Sequence, residues 1–143
     1  MAFQILSINT KDSPYTKLKE MKKCILIVDD SESIREVVSS ALIEKGFEVI
    51  QGVDGKDGLE NLYKRANDVH LILSDLNMPN MDGIQLVKEV RKNEKFKYLP
   101  ILILTTESQT AKKMEAKQAG ATGWIIKPFE KEKLLNIINK VMR

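Results

Sequence analysis

The feature that most constrains this chain is a fivefold alternation. A short apolar run is followed, each time, by a segment of polar and charged residues suited to a helix. The runs lie at Cys24–Val28, Val49–Gln51, Leu71–Ser74, Ile101–Leu104 and Trp124–Ile126. Each is too short for a buried helix and suits a strand. Between them, Ile34, Val37, Val38, Ala41 and Leu42 recur at i, i+3, i+4, i+7 and i+8. Leu59, Leu62, Tyr63 and Ala66 follow the same period, as do Ile84, Val87 and Val90 beside Leu86, and Leu134, Ile137, Ile138 and Val141. Gly46 and Gly120 stand where left-handed helix caps are wanted. Alternating strands and helices predict an α/β fold: a doubly wound, five-stranded parallel sheet with helices on both faces. The continuously apolar first, third and fourth strands belong inside the sheet, and the mixed second strand and short fifth at its edges. The fourth helix, expected over Gln109–Ala119, offers only Ala111, Met114, Ala116 and Ala119 as apolar anchors among four charged residues. It should be the least firmly packed helix.

The strand ends carry the chemistry. Asp29 and Asp30 close the first strand, Asp75 the third, Thr105 the fourth and Lys127 the fifth, while the second ends in Gly52-Val53 and contributes nothing comparable. Parallel sheets bind ligands outside the carboxyl ends of their strands, at the topological switch point. Adjacent strands lie about 4.8 Å apart, so the four contributing strands converge only if they are contiguous. The order 2-1-3-4-5 achieves this, whereas 3-2-1-4-5 puts a strand between Asp75 and the acidic pair. Three carboxylates in one pocket repel one another, and Lys127 offsets one charge. A hard divalent cation such as Mg2+ balances the rest. Cation, lysine and hydroxyl around one carboxylate make a site for a phosphoryl group.

Other classes are disfavoured. One cysteine excludes an internal disulfide, and one histidine a multi-histidine metal site. The acidic turn Asp29-Asp30-Ser31-Glu32 is no phosphate cradle, and Gly52, Gly55 and Gly58 match no nucleotide motif. Net charge is +3, and its basic stretch Arg91, Lys92, Lys95 and Lys97 reads as solvated surface, not a nucleic-acid site. No apolar run approaches the roughly 20 residues of a membrane span. The start MAFQILSINT lacks a secretory n-region and cleavage site, so the chain is expected to be cytoplasmic. The 143 residues suit one domain and leave no room for a separate output module. Residues 1–20 lack a period, contain Ser13-Pro14, and are read as an N-terminal extension of the domain at 21–143, with Met21 an alternative start. Cys24, Met78, Met81 and Met114 are expected to be packing residues, and His70 a loop or strand-edge residue.

Four stretches together carry a resemblance: ILIVDDS (Ile25–Ser31), SDLNMPNMDG (Ser74–Gly83), LTTES (Leu104–Ser108) and AGATGWIIKPF (Ala119–Phe129). From about Lys23 onward the chain resembles a response-regulator receiver domain of the CheY-like, flavodoxin-fold kind. The resemblance implies that Asp75 is the phosphoacceptor and that Asp29, Asp30, Asp75 and the backbone carbonyl of Asn77 hold Mg2+, with Asp30 favoured over Asp29 as a direct ligand. Thr105 would hydrogen-bond a phosphoryl oxygen, and Lys127 would pair with it ahead of a cis Lys127-Pro128 bond. Trp124 takes the place of the aromatic that changes rotamer with Thr105. It is bulkier than the tyrosine of the best-known chemotaxis member, and Thr106 stands where that member has alanine. The implied function is that of a single-domain response regulator in two-component signalling. It is a phosphoacceptor, not an enzyme, that takes a phosphoryl group from a sensor histidine kinase of chemotaxis type. It would then engage a target such as a flagellar motor switch component through the fourth helix, fifth strand and last helix, where Lys113, Lys117 and Trp124 lie. The rival readings are a phosphate sink or relay intermediate, and a flavodoxin-like small-molecule binder.

Overall fold

The computed structural model describes residues 22–142. The elements are β1 (Cys24–Val28), α1 (Glu32–Glu44), β2 (Glu48–Gly52), α2 (Gly55–Lys64), β3 (Val69–Ser74), α3 (Gly83–Arg91), a 3-10 turn (Glu94–Phe96), β4 (Ile101–Thr105), α4 (Thr110–Ala119), β5 (Gly123–Ile126) and α5 (Lys131–Val141). The five strands form one parallel sheet in the order β2-β1-β3-β4-β5. The predicted extension at residues 1–20 lies outside the described residues. Among these, no helix is long and apolar enough to cross a membrane.

The strand period of two divides the core. Leu26, Val28, Ile72, Ile101 and Ile103 face Leu62 of α2, Ile84, Val87 and Val90 of α3, and Ala116 of α4. Ile25, Ile27, Leu71, Leu73, Leu102 and Leu104 face Val38 and Leu42 of α1 and Leu134, Leu135 and Ile138 of α5. β1 and β4 are buried throughout, and β3 at all but His70, as interior strands must be. Each fully buried Leu or Ile contributes about 1.5–3 kcal/mol of transfer free energy, so these two layers dominate stability.

Helix ends follow local chemistry. Ser31, Asp54 and Asp82 cap α1, α2 and α3, and Asp82 forms a reciprocal capping box with Gln85. Gly46 and Gly120 adopt the predicted left-handed conformation. α4 has no side-chain cap at Gln109 and buries only Ala116, so its thin anchorage is as expected.

Several expectations need correction. Val37 is 68% exposed despite its place in the periodic pattern of α1, and Met114 is exposed rather than packed. Tyr63 stays half exposed and stacks on Phe96, with ring centroids 6.2 Å apart. His70 lies within β3, where its Nδ1 accepts the Cys24 N–H at 3.1 Å. Burial pushes the Cys24 thiol up to about 11, so it is an inert core residue. Arg91 is not solvated surface. Its guanidinium donates to Phe96 O at 2.6 Å and to Gly120 O at 2.9 and 3.1 Å, joining the 3-10 turn to the end of α4.

Candidate functional site

The sheet register lines up the strand ends. Val28 pairs with both Gly52 and Ser74, Ser74 with Ile103, and Thr105 with Ile126. Asp29, Asp75 and Lys127 follow Val28, Ser74 and Ile126 directly, so the chain leaves the sheet at one edge with these side chains beside Thr105. One ligand oxygen from each of Asp29, Asp30 and Asp75 lies within 4.8 Å of the other two. Lys127 Nζ donates to Asp29 Oδ2 at 2.9 Å and lies 3.7 Å from Asp75 Oδ1.

The surroundings sort the three acids. Asp29 is buried at 3% exposure, and its Oδ1 accepts the Ser31 N–H at 2.9 Å. Its backbone is fixed too: Asp29 N–H donates to Gly52 O at 3.1 Å, and Arg35 donates to Asp29 O at 2.6 Å. Asp30 is exposed, and among the described residues no hydrogen bond reaches its carboxylate. Asp75 Oδ1 accepts the Leu76 N–H at 2.8 Å. Burial raises the Asp75 carboxyl above its ordinary range. Lys127 and the Leu76 N–H work against this, and the charges of Asp29 and Asp30 add to it.

This donor set fits a hard cation. Oxygens around a magnesium ion at about 2.1 Å sit about 3 to 4.2 Å apart, which the mutual limit of 4.8 Å among these three accommodates. The residues that would hold the ion are Asp29, Asp30 and Asp75, with Asn77 two residues further along an exposed loop.

Thr105 is 1% exposed, and its Oγ1 accepts the Glu107 N–H at 3.1 Å. Trp124 is half-buried, and its Nε1 donates to Glu107 O at 3.1 Å. Thr105 and Trp124 thus hold the N–H and the C=O of one residue, Glu107, in the β4–α4 loop. Lys113 and Lys117 are not at the acidic cluster. They line a groove with Met114, Ala116, Gly123 and Trp124 on the α4–β5 surface. The Lys127-Pro128 bond is cis.

The response regulator receiver domain family matches residues 25–139. The chain belongs to this family. As a receiver domain it is a response regulator of two-component signalling, and it is similar to several chemotaxis proteins. Chemotaxis protein CheY-3 of Vibrio cholerae is 40% identical over 124 residues, covering 86% of this chain and 92% of that protein. Chemotaxis protein CheY1 of Helicobacter pylori is 39% identical over 115 residues, covering 77% and 92%. The solved structure of Vibrio cholerae chemotaxis protein CheY4 superimposes with a TM-score of 0.79 at 45% identity, over 84% of this chain and 98% of that one.

Sequence reasoning missed parts of this receiver site. Glu107 takes part through its backbone, so its side chain gave no signal. The end of β2 adds no side chain to the cluster, as expected, but Asp54 in the turn beyond it accepts from Asn80 Nδ2 at 2.7 Å, across to the loop after Asp75. Gly52, Gly55 and Gly58 were the available clue. A Cβ at Gly52 would come within 2.7 Å of Gly58 Cα, and one at Gly58 within 2.7 Å of the Val28 side chain. Their spacing marks close packing of α2 on β1 and β2, not a phosphate loop.

Proposed function

We propose that this receiver domain accepts a phosphoryl group on Asp75 from a phosphohistidine of a chemotaxis-type sensor kinase, with Mg2+ held by Asp29, Asp30, Asp75 and the Asn77 carbonyl. The observation that carries the reading is a single ammonium, Lys127 Nζ, set between Asp29 and Asp75 in a cluster of three carboxylates. The magnesium ion supplies charge neutralisation for the phosphoryl oxygens. Asp75 Oδ1 is taken by the Leu76 N–H and faces Lys127, which leaves Oδ2 as the nucleophile. Its attack forms an O–P bond as the P–N bond of the phosphohistidine breaks, and the imidazole departs as the leaving group. Lys127 then pairs with a phosphoryl oxygen, and Thr105 Oγ1 donates to another. In the present arrangement that hydroxyl accepts the Glu107 N–H while its own O–H stays available, so a displacement of Thr105 towards the phosphoryl group would draw on the Glu107 segment. Trp124 senses the change through Glu107 O. The α4–β5–α5 surface, with Lys113, Lys117 and Trp124, is the output face for a target such as a flagellar motor switch component. The names of the relatives support the chemotaxis assignment. On this reading the protein works in the cytoplasm, and its only catalysis is its own phosphotransfer and autodephosphorylation. Residues 21–143 form the working unit, and residues 1–20 are an extension dispensable for phosphorylation.

The test is fluorescence of Trp124, the chain's one tryptophan. Beryllofluoride with magnesium should change it in the wild-type protein and not in Asp75→Asn or in EDTA. An equal response from Asp75→Asn would refute the assignment. Transfer from a phosphorylated chemotaxis kinase then tests the donor.

A further inference from the structure

The turn between β2 and α2 gives no group to the carboxylate cluster, yet it grips the loop that follows Asp75. Asn80 Nδ2 donates to Asp54 Oδ2 at 2.7 Å, and Gly55 N–H donates to Met81 O at 3.1 Å. Asp54 is itself fixed, because its Oδ1 accepts the Asp57 N–H at 2.8 Å as the N-cap of α2. Asn80 has φ +67°, a left-handed conformation that asparagine tolerates better than most side chains. Gly55 packs so closely on Met81 that a Cβ would collide with the Met81 carbonyl oxygen and side chain.

The loop has no regular structure of its own, so its few fastenings decide its shape. At its start, Leu76 N–H donates to Asp75 Oδ1, and at its end Gly83 N–H donates to Leu76 O at 2.8 Å. Between these, the contacts to Asp54 and Gly55 are the ones that reach a different helix. Both of them lie beyond Asn77 in the chain, on the stretch whose course sets where Asn77 sits.

We infer that Asp54 and Asn80 are positioning residues for the phosphoacceptor site: their hydrogen bond fixes the loop at residues 76–82 against α2 and so presets the Asn77 carbonyl for the cation. The inference rests on the magnesium site proposed above. Holding the loop in advance removes an ordering cost that would otherwise fall on metal binding. The bond joins two side chains that touch neither the cation nor the phosphoryl group.

Three variants of the full chain separate the bond from its surroundings. Asn80→Gly keeps the left-handed backbone and removes the donor. Asp54→Ser keeps an N-cap and removes the acceptor that reaches Asn80. The double variant Asp54→Asn with Asn80→Asp reverses donor and acceptor while keeping both the cap and a residue tolerant of positive φ. In EDTA, exchange of the Gly55 amide should speed up about fivefold in each single variant, as expected for loss of a hydrogen bond worth roughly 1 kcal/mol. Calorimetric titration with magnesium chloride should show affinity weakened by up to about fivefold in each single variant, the same roughly 1 kcal/mol, and the reversed pair should recover to within about twofold of wild type.

A purely structural bond would lower the melting temperature in EDTA and leave magnesium affinity unchanged, which would overturn the inference. Unchanged Gly55 exchange, or a reversed pair as weak as the single variants, would also overturn it. A wild-type chain that takes up no magnesium would instead defeat the reading of the acidic cluster, and the inference with it. The wild-type titration alone distinguishes that case.

Discussion

Replacing Lys127 with Met should destabilise the metal-free protein by about 3 kcal/mol, and magnesium should recover much of the loss. At an effective dielectric of about 20, the attractions at 2.9 and 3.7 Å amount to about 6 and about 4 kcal/mol before desolvation. The ammonium also gave up hydration to reach this position, its side chain being 13% exposed, and that cost offsets part of the gain. Removing one member of such a pair typically costs about 3–5 kcal/mol, because the partner stays buried and uncompensated, and partial exposure places this case near the lower end. For a domain of this size roughly 3 kcal/mol is about 10 °C in melting temperature. Thermal unfolding in EDTA measures it directly. Saturating magnesium binds the folded state and stabilises it by mass action, more so in the variant, whose carboxylates lack a competing ammonium. The gap between Lys127→Met and wild type should therefore narrow when magnesium replaces EDTA. A variant within about 2 °C of wild type in EDTA would refute the electrostatic account, as would a gap of equal size in both buffers.

Four further outcomes follow from the same geometry. The Asp75 carboxyl is raised above 3.8 chiefly by burial, so its favourable contribution is complete below that pH and is lost as pH rises through the folded-state value; in EDTA, the stability advantage of Asp75→Asn over wild type should grow as pH rises above about 4, and a constant difference would count against the raised carboxyl. Asp30→Ala should weaken magnesium binding more than Asp29→Ala, because Asp29 is already engaged by Lys127 and Ser31 while Asp30 has no such contact among the described residues, and a calorimetric titration with the reverse order would reassign the ligands. Gly83→Ala should cost about 2–3 kcal/mol in chemical denaturation, since its Cβ would collide with Asp75 O, and the disturbance falls on the phosphoacceptor's own backbone. Lys117→Glu should weaken binding of an acidic, partly helical target segment while leaving phosphotransfer intact, whereas Trp124→Ala should reduce the gain in binding that phosphorylation brings, both read by titration of labelled peptide.

The fold was legible because each of its levels wrote itself into residue type. The apolar runs marked the strands, and the demand that Asp29, Asp75, Thr105 and Lys127 converge fixed their order as β2-β1-β3-β4-β5. The convergence of Asp29, Asp30, Asp75 and Lys127 was legible for the same reason, since polar side chains that end apolar strands have little else to explain them. What stayed hidden depended on partners distant in the chain or on backbone atoms. Charge alone made Arg91 a surface residue, because nothing local foretells two carbonyls waiting at Phe96 and Gly120. Val37 fits the helical period, but α1 presents a narrower buried stripe, led by Val38 and Leu42, than its apolar residues suggest. Asp54 caps α2 as an ordinary helix cap does, and nothing local foretells a second role. Its second oxygen serves Asn80, twenty-six positions on.

The unequal anchorage of α4 makes it a lever. Its C-terminal end is stapled by the Arg91 guanidinium on Gly120 O, while its N-terminal end has no side-chain cap and begins just after the Glu107 segment. A ten-residue helix is about 15 Å long, so a swing of about 10° about Gly120 carries the Thr110 end through about 3 Å and leaves the pivot in place. On the proposed function, a small rearrangement at Thr105 would be delivered to the long arm. Lys113, one turn along, would move by about 2 Å in such a swing, and Lys117, nearer the fulcrum, by less than half as much.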